Sequence, residues 1–211
     1  MKKPIALFSL TLFAVSIFAA AQSANADDEK GFISLFNGKD FTGWKISDKA
    51  KSKIKVKDGM IVCNGPRSHA FTVKQYKNFH FKAEVKTTPG SNSGIYFHTK
   101  FQASGWPKAG YESQVNVSHR DPVKTGSIYN TVKLFKTSAT DDKWWKHEII
   151  VKGKHVVVKI DGKTVVDYTE PKDKKGPVKL SKGSFALQAH DPKSVVYYRN
   201  LRVKPLPDDA K

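Results

Sequence analysis

Two short runs concentrate the side chains able to do chemistry: Asn92-Ser-Gly-Ile-Tyr-Phe-His98 and Gly110-Tyr-Glu-Ser-Gln-Val-Asn116. In an extended chain, alternation sets Tyr96 and His98 on one side of their strand and Glu112, Gln114 and Asn116 on one side of theirs. Rows of that kind on a shared open face suit a sugar. An aromatic ring stacks on the apolar face of a pyranose, while amides and a carboxylate bond its hydroxyls with few charges to desolvate. The same alternation describes the exposed half of any amphipathic strand, so spacing leaves both readings open. Gln188 and His190, two apart, add a polar row late in the chain. His119 and Asp121 fall in a loop before Pro122, and a His-x-Asp pair alone does not make a metal site. The chain has no zinc-ligand spacing, no Gly-rich phosphate loop and no Gly-x-Ser-x-Gly, so neither a metal nor a cofactor is expected.

The elements that must carry these side chains read as strands. Aromatic residues reach 11%, with 14 Gly and 10 Pro, and turn residues interrupt the chain at short intervals without a long helical period. Phe79 to Thr87 alternates Phe79, Phe81, Ala83, Val85 against His80, Lys82, Glu84, Lys86, the pattern of a half-buried strand. Asp58-Gly59 and Asp161-Gly162 each sit between β-rich runs and tolerate the positive φ of a tight hairpin. Val156 to Ile160 is apolar at nearly every position, which suits strands covered on both faces or at a sheet–sheet interface. Further strands are expected at Phe32–Phe36, Ser93–Thr99, Tyr111–Val117, Lys146–Lys152, Ser184–His190 and Val195–Val203. That many short strands without a helix predicts two packed antiparallel sheets. Their core is expected to include Phe79, Phe81, Val85, Ile95, Phe97, Val115, Ile149, Val151, Val158, Ile160, Phe185 and Leu187.

The amino terminus reads as a targeting device. Lys2-Lys3 precede an apolar stretch from Ile5 to Ala21, and Ala24-Asn25-Ala26 offers the small-x-small pattern of a cleavage site. This predicts a signal peptide over residues 1–26, a short linker at 27–30, one domain over 31–205 and a tail at 206–211, with a secreted or periplasmic location and no membrane insertion after cleavage. Cys63 is the sole cysteine, so no intramolecular disulfide can form, and its place after Met60-Ile61-Val62 reads as a buried small hydrophobe. Formal net charge is +18, and Lys2 and Lys3 are the only charges before Asp27, so +16 belongs to the rest. Lys49, Lys51, Lys53, Lys55 and Lys57 recur at every second residue, which in an extended segment puts five cations on one face. Such a face protects an edge strand and could also attract an anionic polysaccharide. Nucleic acid is not expected, since an exported location removes most such targets and only four arginines are present.

The motifs, taken in order, resemble a known family. Gly31-Phe-Ile-Ser-Leu-Phe-Asn-Gly-Lys39 with Gly43-Trp44, Asn92-Ser-Gly-Ile-Tyr96, Gly110-Tyr-Glu-Ser-Gln-Val115, Thr125-Gly-Ser-Ile-Tyr129, the Asp161-Gly162 hairpin, Leu187-Gln-Ala-His190 and Tyr198-Arg-Asn-Leu-Arg202 follow the order of the 3-keto-disaccharide hydrolase domain family. The resemblance spans about Gly31 to Lys204. It implies an all-β, two-sheet antiparallel sandwich (jelly roll) of the concanavalin A-like lectin/glucanase type, in an exported bacterial protein with a carbohydrate substrate. Many relatives carry Arg two residues after the aromatic that follows Asn-Ser-Gly-Ile, whereas this chain has His98. The implied chemistry begins at a C3 carbonyl, which acidifies the C2 proton. Its removal gives an enolate that expels the C1 oxygen, and water then adds. Glu112 and either His98 or His190 are the candidates for base and acid. Asn92, Tyr96, Tyr111, Gln114, Asn116 and Gln188 form the candidate substrate-binding set, with Tyr111 also expected to anchor its strand in the core. A lectin-like module without catalysis would use the same surface.

Overall fold

The computed structural model describes residues 29–208. The expected signal peptide and the last three residues of the tail lie outside the described residues. The elements below belong to the unit that begins at Ile33.

Among the described residues, thirteen strands form two antiparallel sheets. The larger sheet runs β11 (Lys163–Thr169), β10 (His155–Ile160), β9 (Trp145–Lys152), β6 (Phe79–Thr87), β13 (Val195–Pro205), β4 (Met60–Asn64) and β3 (Lys55–Lys57), with β1 (Ile33–Ser34) also paired to β13. The smaller runs β2 (Trp44–Ile46), β5 (Ser68–Thr72), β12 (Ser184–Ala189), β7 (Asn92–Thr99) and β8 (Tyr111–Asn116). All twelve residues expected in the core are buried. An aromatic seam closes the sandwich: Phe79 and Phe81 of the larger sheet meet Phe185 of the smaller, each with ring centroids 4.7 Å apart.

Strand β6 spans the expected residues, and Asp58-Gly59 and Asp161-Gly162 turn their hairpins with positive φ at all four positions. In β10, Val156, Val158 and Ile160 are buried while His155, Val157 and Lys159 are only partly covered, so this strand lies at the interface between sheets rather than under two layers. The expected strand from Phe32 to Phe36 contracts to Ile33–Ser34, because the Ser34 hydroxyl bonds the Phe36 carbonyl at 2.7 Å and turns the chain.

The lysine row differs more from expectation. Asp48 adopts φ 48° and its carbonyl accepts the N–H groups of Lys51 (2.8 Å) and Ser52 (2.9 Å), which coils the chain through Lys49 and Lys51. Only Lys55 and Lys57 of the five lie in a strand, and that strand, β3, is a sheet edge. Charge on an edge strand discourages pairing with another chain.

Candidate active site

The register between β7 and β8 pairs Tyr96 with Glu112, Gly94 with Gln114 and Asn92 with Asn116. Strand β12 then sets Ala186 against Tyr96, and Gln188 lies opposite His69 of β5. Residues between these, among them Ile95, Val115 and Leu187, are in the core, so the paired set occupies the outer face of the smaller sheet. Glycine at position 94 makes room for the carboxylate: a Cβ there would stand 2.0 Å from Glu112 Oε1. The Gln188 amide fixes that carboxylate from the other side, donating to Glu112 Oε1 at 2.9 Å and to the Tyr96 hydroxyl oxygen at 3.1 Å. The Gln188 Oε1 has no partner among the described residues.

These groups floor a cavity of about 420 Å³, within the range of roughly 300–1,000 Å³ usual for small-molecule sites. Trp106, Asp121, Tyr129 and His190 complete its walls. Burial pushes the Glu112 carboxyl up to about 7, with Asp121 adding to the rise and hydrogen bonds from Tyr96 and Gln188 opposing it. Glu112 therefore changes charge near neutrality rather than in acid. His190 is held through Nδ1, 2.9 Å from Asp191 Oδ2. Asp191 is fixed in turn by the Ser194 hydroxyl at 2.7 Å, and the Ser194 oxygen accepts the Asn92 N–H at 2.9 Å. Desolvation would raise the Asp191 carboxyl, but hydrogen bonds from Ser194, His190 and the Lys193 N–H outweigh it and bring it down to about 2. A charged Asp191 pairs with Nδ1 of His190 and so orients the ring.

A loop beyond β8 builds the facing wall. The Lys124 ammonium gathers the carbonyls of His119 (2.8 Å) and Asp121 (2.9 Å), and Tyr129 donates to Asp121 Oδ2 at 3.2 Å. His119, His190 and Asp191 each offer an atom of metal-ligating type within 4.8 Å of the others. The Asp121 N–H donates to His119 Nδ1 at 3.1 Å, and both Asp191 oxygens accept hydrogen bonds. The Nδ1 atoms of both histidines and both Asp191 oxygens are thus engaged within the protein.

Of the residues singled out by sequence, Glu112, Gln114, Asn92, Tyr96, Gln188 and His190 meet at this cavity. Asn116 shares their face, but its side chain turns into the loop, donating to the carbonyls of Asp121 (2.9 Å) and Val123 (2.8 Å). Tyr111 touches the cavity edge while its ring packs in the core and its hydroxyl donates to Glu170 Oε2 at 2.7 Å, so it anchors rather than contacts a ligand.

His98 does not join Tyr96. The β12–β7 register slips between Ser184 and Ala186, and His98 sits at φ 57°, a bulge that turns its ring across the sheet to lie 5.5 Å from Phe79. Its Nε2 donates to the Lys77 carbonyl at 2.7 Å and its Nδ1 accepts the Ser181 N–H at 3.1 Å. Burial holds this imidazole at about 4, neutral and occupied. A role as catalytic acid is thereby withdrawn from His98.

Sequence reading missed Trp106, Tyr129 and Asp191 as site residues. Tyr129 closes the Thr125-Gly-Ser-Ile-Tyr129 motif, and Asp191 directly follows His190, a signal that a His–carboxylate pair is available. Trp106 comes from the irregular segment after β7 and carried no periodic mark. Its ring stands 5.3 Å from His190 and 5.7 Å from His69, with the Arg67 guanidinium 5.3 Å over it.

Comparison with known proteins agrees with this architecture. A protein from Parabacteroides distasonis described as a candidate glycosyl hydrolase superposes with a TM-score of 0.74 at 26% identity, covering 86% of this chain and 97% of that one. The Bacillus licheniformis β-glucanase shares the fold, with a TM-score of 0.55 at 11% identity over 83% of this chain and 97% of its own. The 3-keto-disaccharide hydrolase of Bacteroides thetaiotaomicron is 32% identical over 101 residues, a match covering 40% of this chain and 35% of that protein. The family model for the 3-keto-alpha-glucoside-1,2-lyase-like domain matches residues 31–204, and the chain belongs to that family.

Proposed function

We propose that this protein cleaves 3-keto glycosides, with Glu112 as the base that removes the C2 proton. The observation that carries this reading is the setting of Glu112: a carboxylate raised to about 7, seated over Gly94 in a cavity that it shares with His190. A base whose proton affinity lies near the working pH combines a deprotonated fraction with real driving force for proton abstraction. The C2–H bond breaks toward Glu112 and its electrons form the enolate with the C3 carbonyl. The enolate then collapses to a C1–C2 double bond as the C1–oxygen bond breaks, and the departing oxygen takes a proton from His190 Nε2. Water adds at C1 to complete net hydrolysis. Tyr129 and Gln114 line the same cavity, and the unpartnered Gln188 Oε1 suits a sugar hydroxyl. Asp191 positions His190 and does not touch the reacting atoms.

The lectin-like reading draws on Trp106, a 40% exposed indole at the cavity wall that can stack on a pyranose. Export, with cleavage after Ala26, belongs to the same proposal; intact-mass measurement on protein from its native host should find Asp27 first, and retained Met1 would refute it.

Turnover of a 3-keto glycoside deuterated at C2 tests the mechanism. Wild type should release the label to solvent, and Glu112→Gln, which keeps the shape, should still bind but turn over roughly 100-fold more slowly or worse. Full activity in Glu112→Gln would remove the residue from the mechanism. Quantitative retention of C2 deuterium in the product would remove the elimination, and binding without turnover of any keto or unoxidised glycoside would leave the lectin-like reading.

A further inference from the structure

The outer face of the larger sheet, on the far side of the sandwich from the cavity, carries much of the chain's positive charge in register. One row across four strands is Lys55, Val62, Tyr197 and Lys86. Another is Arg199, Glu84 and Lys146, and a third is Arg202, Lys82, Glu148 and Lys159. The interleaved rows settle which way these point: Ile61, Tyr198, Val85 and Trp145 are buried in the core, as are Val203, Phe81, Ile149 and Val158. In these three rows seven cations lie on the outer face against two carboxylates; Lys82 is itself buried, and the other six are partly or fully exposed. Both carboxylates are occupied within the face, Glu84 by Arg199 (2.7 Å) and Asn200 (3.0 Å) and Glu148 by His80 (2.7 Å). Lys86 and Arg199 also bracket the Trp144 ring, at 5.2 and 4.0 Å, which holds their charges over the sheet.

We infer that this face is a docking surface for an acidic polysaccharide. A sheet of spaced, rigidly based cations matches a polymer with regularly repeated carboxylates and raises its local concentration by electrostatics. A bilayer would require apolar side chains reaching past the charges. The exposed large apolar residues of the described chain, Ile33, Val73, Phe101, Trp106, Phe135 and Val178, all lie outside these rows. With the cavity on the opposite sheet, attachment leaves the site open to small glycosides. The inference is independent of the reaction proposed for Glu112.

Salt-gradient elution of the full chain from immobilised polygalacturonate tests this. Replacing Lys55, Lys86, Lys146 and Lys159 by Gln should weaken retention about tenfold at low salt. Replacing the exposed Lys172, Lys175, Lys179 and Lys182 by Gln removes equal charge elsewhere and should change it less than twofold, and Glu112→Gln should not change it. Equal losses in both quadruple variants would reduce the effect to net charge and overturn the inference. So would binding to vesicles of phosphatidylglycerol and phosphatidylcholine without retention on polygalacturonate. Lysine acylation of the unaltered protein supplies a second readout: bound polymer should protect Lys86 and Lys146 but not Lys172 or Lys175, and the reverse pattern would also overturn it.

Discussion

Glu112 is a carboxylate whose function and stability pull in opposite directions. Its proton affinity in the folded chain, about 7, stands above the value of 4.5 for a solvated glutamate, chiefly through burial. Between those two values the folded state holds the proton more firmly than the unfolded chain, so stability falls as pH rises through that window and stays lower above it. The shift corresponds to a cost of up to about 3 kcal/mol at pH 8. Glu112→Gln should therefore raise the unfolding free energy at pH 8 by that order, with the gain shrinking toward pH 4.5, as denaturant titration at several pH values can read. Activity should behave oppositely on the acid side: kcat/KM of the wild type toward a neutral glycoside should rise as pH climbs toward about 7, because only the ionised carboxylate takes a proton. A profile that falls through pH 7 would make Glu112 the acid, and an unchanged stability in Glu112→Gln would contradict its desolvation.

At the scale of strands, the site depends on one missing side chain and one slipped register. Gly94 is not in the left-handed region, so its backbone accepts alanine, but the new methyl would occupy the space of the Glu112 carboxylate. Gly94→Ala should lower turnover at least 100-fold while leaving the circular dichroism spectrum intact; activity within tenfold of wild type would show that the carboxylate has another productive position. Strict alternation made Glu112, Gln114, Tyr96 and Asn92 legible from sequence, since the period of two holds across the part of the β7–β8 ladder that bears them. His98 was not legible, because its bulge arises from pairing with β12, more than eighty residues away in the chain, which alternation within one strand cannot register. Trp106 escaped for a related reason: it is placed by contacts with His69 and His190 from two other parts of the chain. The lysine row failed locally, at Asp48, whose positive φ ends the extended run that the spacing presumed.

At the scale of the molecule, one aromatic seam joins the two sheets. With a single buried thiol the chain depends on packing for its stability, and the packing converges on Phe79, Phe81 and Phe185. Phe185 directly precedes Ala186, which lies beside Tyr96, so the seam supports the floor of the cavity from behind. Phe81 has no exposed surface, and its truncation to alanine removes a ring from a place that cannot fully collapse. The expected loss is about 3–5 kcal/mol, a large part of the roughly 5–15 kcal/mol that holds a typical domain together. Because the missing ring leaves Glu112, Gln188 and His190 with their partners on the other side of the smaller sheet, kcat/KM per folded molecule should stay within about twofold of wild type. Urea titration with activity measured below the transition separates the two quantities. A loss under about 1 kcal/mol would place Phe81 outside the seam. A collapse of activity in molecules that remain folded would show that the cavity floor moves with the core, and the division of labour between the two faces of the smaller sheet would fail.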